Sequence, residues 1–372
     1  MSEKEVRAAL SGPPTEHTRA DLLLAWYRRH RRDLPWRRTR DPYAIWVSEV
    51  MLQQTQVAKV EPFFEAFMAR FPSLEALAEA PIDDVLAAWT GLGYYRRARF
   101  LHRAACQLVE EGRQMPSTAA QLQELPGIGA YTAAAVASIA FDEVVPVLDG
   151  NVERVICRLL ALAEDAKKSQ VRKRLLEEAE KLLDGNSPGE SNQALMELGA
   201  TVCRPQSPKC LICPLNESCL GKSSPQFFPL SKKRRAVEAV TLHVAVARRD
   251  DRLLFFKRPQ DAELMAGLWE LPNTAAEEGP DDDLSSIEEK LGETYGGRWQ
   301  LEPSTVRVGH GITYRSITAH VHLARVETSD RVASGPEAAW VADSDHRDYA
   351  MSSLVSKVLE AAAGTERRSA DP

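Results

Sequence analysis

The 372-residue sequence contains no apolar run approaching the roughly 20 residues of a membrane-spanning helix, which excludes helical membrane spans. Met1 to Leu10 is polar and charged and does not resemble a signal peptide, so the chain is expected to remain in the cytosol. Cysteine is scarce: of six, Cys203, Cys210, Cys213 and Cys219 cluster while Cys106 and Cys157 stand alone. In a reducing compartment that pattern suggests a metal site more than a disulfide framework. Lysine is missing altogether between Lys59 and Lys167. An excess of positive charge is missing too, the net charge being −6.

The charge deficit is regional. Residues 1–225 carry 28 Lys+Arg against 29 Asp+Glu, and the remainder 19 against 24. Arg28, Arg29, Arg31, Arg32, Arg37, Arg38 and Arg40 crowd together, and a near-neutral domain with a basic face is compatible with binding phosphates. The plainer reading of these arginines is a solvated helix end and loop. Charge does not decide between them.

With 44% hydrophobic residues the chain can fill two cores. From about Thr18 to Leu220 apolar residues recur at three- and four-residue spacing, interrupted at Asp41-Pro42, Phe71-Pro72, Ala80-Pro81, Met115-Pro116 and Leu125-Pro126. This predicts a helical domain over 1–221. Residues 222–238 read as a polar linker, basic toward its end. Val240–Ala247, Leu253–Phe256, Thr318–Val326 and Ala339–Val341 are β-rich, with an acidic break (Glu277 to Asp283) and a helix over Leu284–Leu291 between the second and third. They predict a small α+β domain over 239–364. The tail, 365–372, is expected to be disordered.

The cysteine spacing is C-x6-C-x2-C-x5-C. Four thiolates on a compact loop can hold a tetrahedral zinc or a four-iron cluster; the uneven gaps, with one short knuckle only, suit the cuboidal cluster better. Arg204 and Lys209 sit on the same loop, within reach of phosphates. In LPGIGAYT (125–132), Gly127 and Gly129 permit a tight reversal with backbone amides at a helix start. That is a phosphate-binding arrangement, and equally an ordinary helical corner. Glu49 is the single acid in WVSEVMLQQTQV, on one helical face with Ile45, Leu52, Gln53 and Gln56. A carboxyl on a mainly buried face has the raised pKa of a general acid, or is merely satisfied by a neighbouring amide. Asp149 precedes a helix and reads as its N-cap; an oriented carboxylate there could also stabilise a developing sugar cation.

Together these segments resemble the helix–hairpin–helix DNA glycosylases, and among them the MutY-type adenine DNA glycosylases. The resemblance rests on LPWR (34–37), WVSEVMLQQTQV (46–57), GLGYYRRAR (91–99), LPGIGAYTAAA (125–135), VLDGNVERV (147–155), NQALMELGA (192–200) and the four cysteines. It implies a mainly α glycosylase domain with a [4Fe-4S] loop, followed by a small Nudix-like α+β module of which GLWELP (267–272) is the clearest trace. By the resemblance Glu49 protonates adenine at N7 and Asp149 supports the oxocarbenium ion. Gln54, with Thr55 beside it, enters the duplex, Leu92 and Tyr94 contact the opposite guanine lesion, and Trp36, Arg37 and Gln193 line the pocket for the flipped base. Gly127 and Gly129 hold phosphate, and Cys203, Cys210, Cys213 and Cys219 hold the cluster. The implied partner is duplex DNA with A:8-oxoguanine or A:G mispairs, bound by a monomer in a bacterial-type, nucleoid-associated setting, with no membrane.

Sister enzymes that also cut the strand attack the sugar with a lysine, and Tyr131 stands at that position here. With no lysine in the segment, the enzyme is expected to be monofunctional. The Glu-rich magnesium motif of Nudix hydrolases is missing, so hydrolase activity there is not expected. Where many relatives carry Phe-Ser-His, this chain has Ile312-Thr313-Tyr314 after His310, which leaves its reading of the lesion strand open. A pyrimidine-lesion glycosylase with lyase activity is the nearest alternative; the missing lysine and the second domain argue against it. A non-catalytic DNA-binding protein is another, and would not need both Glu49 and Asp149.

Overall fold

The computed structural model describes residues 16–166, 168–230, 236–262, 264–276, 283–304, 306–312, 314–327 and 337–369. Met1–Leu10, the basic end of the linker (231–235), residues 277–282 of the acidic break, Thr313 and residues 370–372 lie outside the described residues.

The chain forms two compact units, residues 1–78 with 103–233 and residues 79–102 with 234–372. Helices follow in the order α1 (Glu16–His30), α2 (Pro42–Leu52), α3 (Val57–Arg70), α4 (Leu74–Glu79), α5 (Ile82–Ala88), α6 (Arg96–Glu110), α7 (Ala119–Leu122), α8 (Ala130–Phe141), α9 (Gly150–Leu159), α10 (Ser169–Glu180) and α11 (Pro188–Thr201). The grouping of 79–102 with the C-terminal part corrects the expectation of one continuous domain over 1–221. Within that unit the Tyr95 hydroxyl donates to the Met351 carbonyl (2.5 Å), Arg99 to the Ala266 carbonyl (2.7 Å) and Lys257 to Asp83 (2.8 Å). Helical periodicity reports that a face is buried, not which core buries it.

Two helices set up the first unit's cavity. Asp41 caps α2, accepting from the Tyr43 amide at 3.0 Å, and Pro42 supplies a preset φ at the first helical position. Tyr43 through Met51 are all buried, so α2 is a core helix and any polar side chain on it is enclosed. It stops at Leu52. Gln54 takes φ 57° and α3 starts anew at Val57, so Gln56 does not share the Glu49 face that one unbroken helix predicts. In α8, Thr132 to Ser138 are buried. Gly189 at the start of α11 lets that helix approach closely: a Cβ there would lie 2.6 Å from the Ser138 carbonyl oxygen.

The expected linker starts later than residue 222. Arg158, 3% exposed, donates to the Pro225 and Phe228 carbonyls at 3.0 Å, so this stretch is part of the helical unit.

In the second unit the strands are β1 (Glu238–Arg249), β2 (Arg252–Lys257), β3 (Trp269–Glu270), β4 (Asn273–Ala275), β5 (Arg298–Leu301), β6 (Val306–Ile312), β7 (Arg315–Glu327) and β8 (Ala338–Ala342). They form one mixed sheet, β3-β2-β1-β7-β5, with β1 and β7 parallel and β4, β6 and β8 pairing β1, β7 and β2. Period-two alternation sends Val244 and Val246 to one face and Ala245 and Ala247 to the other. The first face packs on Val355 and Val358 of α13 (Ser353–Ser369), the second on Ile287 and Leu291 of α12 (Leu284–Tyr295). Helix α13 runs to Ser369, where a tail had been expected from 365: Glu366, Arg367 and Arg368 are good helix formers and simply continue it. Among the described residues no helix is long and apolar enough to cross a membrane.

Candidate active site

A cavity of about 480 Å³ opens in the first unit. It is lined by Trp36, Arg37, Glu49, Gln54, Thr55, Tyr131, Asp149 and Gln193, which come from five separate stretches of sequence. Ile45, Leu52 and Gln53 border it too, as the shared helical face with Glu49 predicts.

Glu49 is 5% exposed and accepts a 2.6 Å hydrogen bond at Oε2 from the Tyr131 hydroxyl. Burial raises its pKa; the Tyr131 donor opposes this, the Asp149 charge adds to it, Arg37 opposes it, and the result is about 7. Burial and the charges of Glu49 and Asp149 raise the Tyr131 phenol well above its ordinary range, so it stays a donor. Asp149 caps α9, accepting from the amides of Asn151 (3.0 Å) and Val152 (2.8 Å) and from the Asn151 side chain (2.8 Å). Its capping and its place on the cavity wall coexist. Trp36, 6% exposed, meets Phe64 edge-on at 5.4 Å between centroids.

Sequence reasoning missed Glu197. Its fully buried carboxylate takes Arg32 at 2.7 Å and Arg37 at 2.8 Å. Burial would raise its pKa, but hydrogen bonds and charge from the two guanidiniums outweigh it and hold the carboxyl at about 2. Glu197 thereby fixes Arg37 on the cavity wall. The signal was available, because Glu197 is the single acid of NQALMELGA as Glu49 is of its own helix.

Four other arginines of the basic cluster are paired as well. Arg28 and Arg31 reach Glu190, Arg38 reaches Asp33, and Arg40 reaches Asp142. The cluster therefore divides, with Arg32 and Arg37 turned to the cavity and Arg28, Arg31, Arg38 and Arg40 on more exposed ion pairs.

The remaining candidates lie elsewhere. Gly127 (φ 77°), Gly129 and Ala130 are exposed while Leu125 and Ile128 are buried, so the hairpin is anchored from below with its glycines outward. Gly129 caps α8, whose first-turn amides have no intrahelical acceptor. Leu92 and Tyr94 belong to the second unit, in a turn where Gly91, Gly93 and Tyr94 have φ of 104°, 73° and 52°. That backbone turns Leu92 inward, at 4% exposure, and Tyr94 outward, at 45%. Leu92 thus anchors the turn from within while Tyr94 stands on its surface. Arg97 braces the turn, donating to the Gly93 carbonyl at 3.0 Å and covering the Trp89 and Tyr94 rings.

Cys203, Cys210, Cys213 and Cys219 line one small cavity of about 30 Å³ together with Arg158 and Lys222. Among the described residues no three His, Cys, Asp or Glu side chains converge closely enough to hold a single metal ion. Arg158 also donates to the Arg204 carbonyl (2.7 Å) and the Pro205 carbonyl (3.1 Å) and stands 3.4 Å from the Cys203 sulfur.

A capped helix–hairpin–helix, an enclosed carboxyl acid and a second carboxylate at the next helix start define a base-excision glycosylase. In keeping with this, residues 47–181 match the family described as HhH-GPD superfamily base excision DNA repair protein, and residues 243–361 match the NUDIX domain. The chain is 36% identical to the adenine DNA glycosylase of Mus musculus, over 91% of this chain and 76% of that one. It is 46% identical to that of Mycolicibacterium smegmatis over 58% and 73%. A thermostable thymine-DNA glycosylase structure is 30% identical with a TM-score of 0.51, covering 56% of this chain and 97% of the other. The chain belongs to the adenine DNA glycosylase family. It is a DNA N-glycosylase of base excision repair, and it binds DNA.

Proposed function

We propose that the protein removes adenine paired with 8-oxoguanine, and with guanine, from duplex DNA, acting as a cytosolic, nucleoid-associated monomer. The observation that carries the chemistry is Glu49: an enclosed carboxyl with a pKa of about 7 on the wall of a cavity with room for a flipped base. The adenine is extruded from the stack into that cavity, between Trp36, Arg37 and Gln193, while Gln54, exposed on its turn, fills the gap with Thr55 behind it.

Glu49 gives its proton to N7 of adenine. The C1′–N9 bond then breaks with its electron pair going to the base, which leaves neutral. The cationic sugar faces the Asp149 carboxylate. Water adds to C1′ and releases its proton to the Glu49 carboxylate, restoring the acid. Tyr131 orients Glu49, and no lysine in the neighbouring segment offers an amine to the sugar, in keeping with base removal alone.

Gly127 and Gly129 present the α8 amides to a phosphate. In the second unit the exposed Tyr94, with His310, Ile312 and Tyr314 at the β6–β7 end, reads the lesion strand; Thr313 between them lies outside the described residues.

Cys203, Cys210, Cys213 and Cys219 are the ligands of a [4Fe-4S] cluster. The donor set fits: four cysteines about one cavity, with the cations Arg158 and Lys222 to balance thiolate charge. The bound cluster supplies structural bracing for the loop carrying Arg204 and Lys209. Release of free adenine from duplexes with A opposite 8-oxoguanine, G or C tests the reading. Preference for A:8-oxoguanine and A:G over A:C is expected, and equal release from all three would overturn the specificity.

A further inference from the structure

Tyr27 on α1 is 0% exposed, and a buried hydroxyl needs a partner. Its partner is Gln193 on α11: the phenol donates to Oε1 at 3.1 Å. Gln193 lines the base cavity, whereas Tyr27 lies behind it. A carboxamide carries its acceptor and its donors on opposite sides of Cδ. With Oε1 drawn back to Tyr27, the Nε2 donors are what Gln193 turns to the cavity. The Tyr27 ring also meets Arg31 and Arg37, whose guanidinium carbons lie 5.9 and 5.6 Å from its centroid. Burial pushes the phenol pKa upward, so the hydroxyl keeps its proton.

We propose that Tyr27 is a specificity-determining positioning residue: it fixes the Gln193 carboxamide so that the pocket offers a donor, and not an acceptor, to the base. This rests on the reading that Gln193 borders the flipped adenine. Of adenine's ring acceptors, N7 is taken by the Glu49 proton and N3 lies beside the glycosidic bond. N1 is left for Gln193. Hypoxanthine has the same shape but carries a hydrogen on N1, which sets donor against donor and leaves the Nε2 group unpaired. Guanine shares that hydrogen, so the same amide disfavours it.

The test compares single-turnover release of adenine and of hypoxanthine from otherwise identical duplexes, opposite guanine, by the full-length protein. The wild type should favour adenine. Tyr27→Phe keeps the ring and removes the donor; freed to turn, the carboxamide can present Oε1 to N1–H, and the adenine-to-hypoxanthine ratio should narrow about ten-fold. Gln193→Leu should narrow the ratio as well, and adding Tyr27→Phe to it should have no further effect on the ratio.

A Tyr27 that only supports the fold would slow both bases alike, and an unmoved ratio in Tyr27→Phe with a narrowed one in Gln193→Leu overturns the inference alone. An unmoved ratio in Gln193→Leu overturns it together with the placement of Gln193 beside the base. A wild type that prefers hypoxanthine overturns the assignment to N1. Should Tyr27→Phe fail to fold, Tyr27→4-fluorophenylalanine removes the donor at nearly the original size, and the same ratio decides.

Discussion

The Tyr131 hydroxyl donates to Glu49 at 2.6 Å, so the residue where the strand-cutting relatives keep their nucleophile instead governs the acid. A donor to a carboxylate favours its ionised form and lowers its pKa, while burial raises it, and at Glu49 burial prevails at about 7. The rate should therefore be level below about pH 7 and fall about ten-fold per unit above it, as the acid is lost. Tyr131→Phe removes a group that lowers the pKa, so the alkaline limb should move to higher pH. A single-turnover pH profile checks both, and a limb that stays in place would separate Tyr131 from Glu49.

Glu49→Gln removes the proton donor and keeps the shape. Adenine release should fall about 10²-fold or more with little change in mispair affinity. Because the folded-state pKa is raised, Glu49 contributes stability below its unfolded value of 4.5 that is lost as pH rises through about 7. Thermal melts should accordingly show the variant gaining on the wild type at pH 8 and not at pH 4.

Tyr131→Lys places an amine on the cavity wall beside Asp149. Once adenine has left, that amine can form a Schiff base with the abasic aldehyde. Borohydride should trap the variant on DNA and trap the wild type weakly or not at all. Strong trapping by the wild type would mean that another amine reaches the sugar.

Glu197 holds Arg32 and Arg37, and its removal strands two guanidiniums at the cavity. Glu197→Gln should cost about 3–5 kcal/mol in denaturant unfolding at neutral pH. The depressed pKa sets the sign of the pH dependence: this stability is present above the unfolded value of 4.5 and lost as pH falls toward about 2. The gap between variant and wild type should therefore close in acid; a constant gap would mean that packing, and not charge, explains the loss.

Anaerobically purified protein should be yellow-brown with about four irons and four labile sulfides per chain. Stoichiometric zinc without broad visible absorbance would be the contrary result. Chelation or oxidation of the cluster should weaken DNA binding and leave the Glu49 pH limb unmoved.

Much of the site could be read from local pattern. A single acid in an apolar stretch is enclosed wherever that helix packs, because a helix buried on all sides keeps the side chain from bulk solvent, and this marked Glu49. An aspartate before an apolar-periodic helix is its cap, because the first-turn amides need an acceptor, and this marked Asp149. Glycines after a proline marked the hairpin, and four cysteines on one short loop marked their common cavity.

What the tertiary structure alone decided depends on segments far apart in sequence. That Tyr131 meets Glu49, that Glu197 locks Arg37 and that Tyr27 holds Gln193 are pairings across 82, 160 and 166 residues, which no helical period encodes. Likewise only the packed unit assigned residues 79–102 to the C-terminal part and turned Leu92 inward and Tyr94 outward. Periodicity is a property of one chain segment, whereas a pKa of about 7, the aim of an amide or the burial of a turn is set by whatever the rest of the fold brings against it.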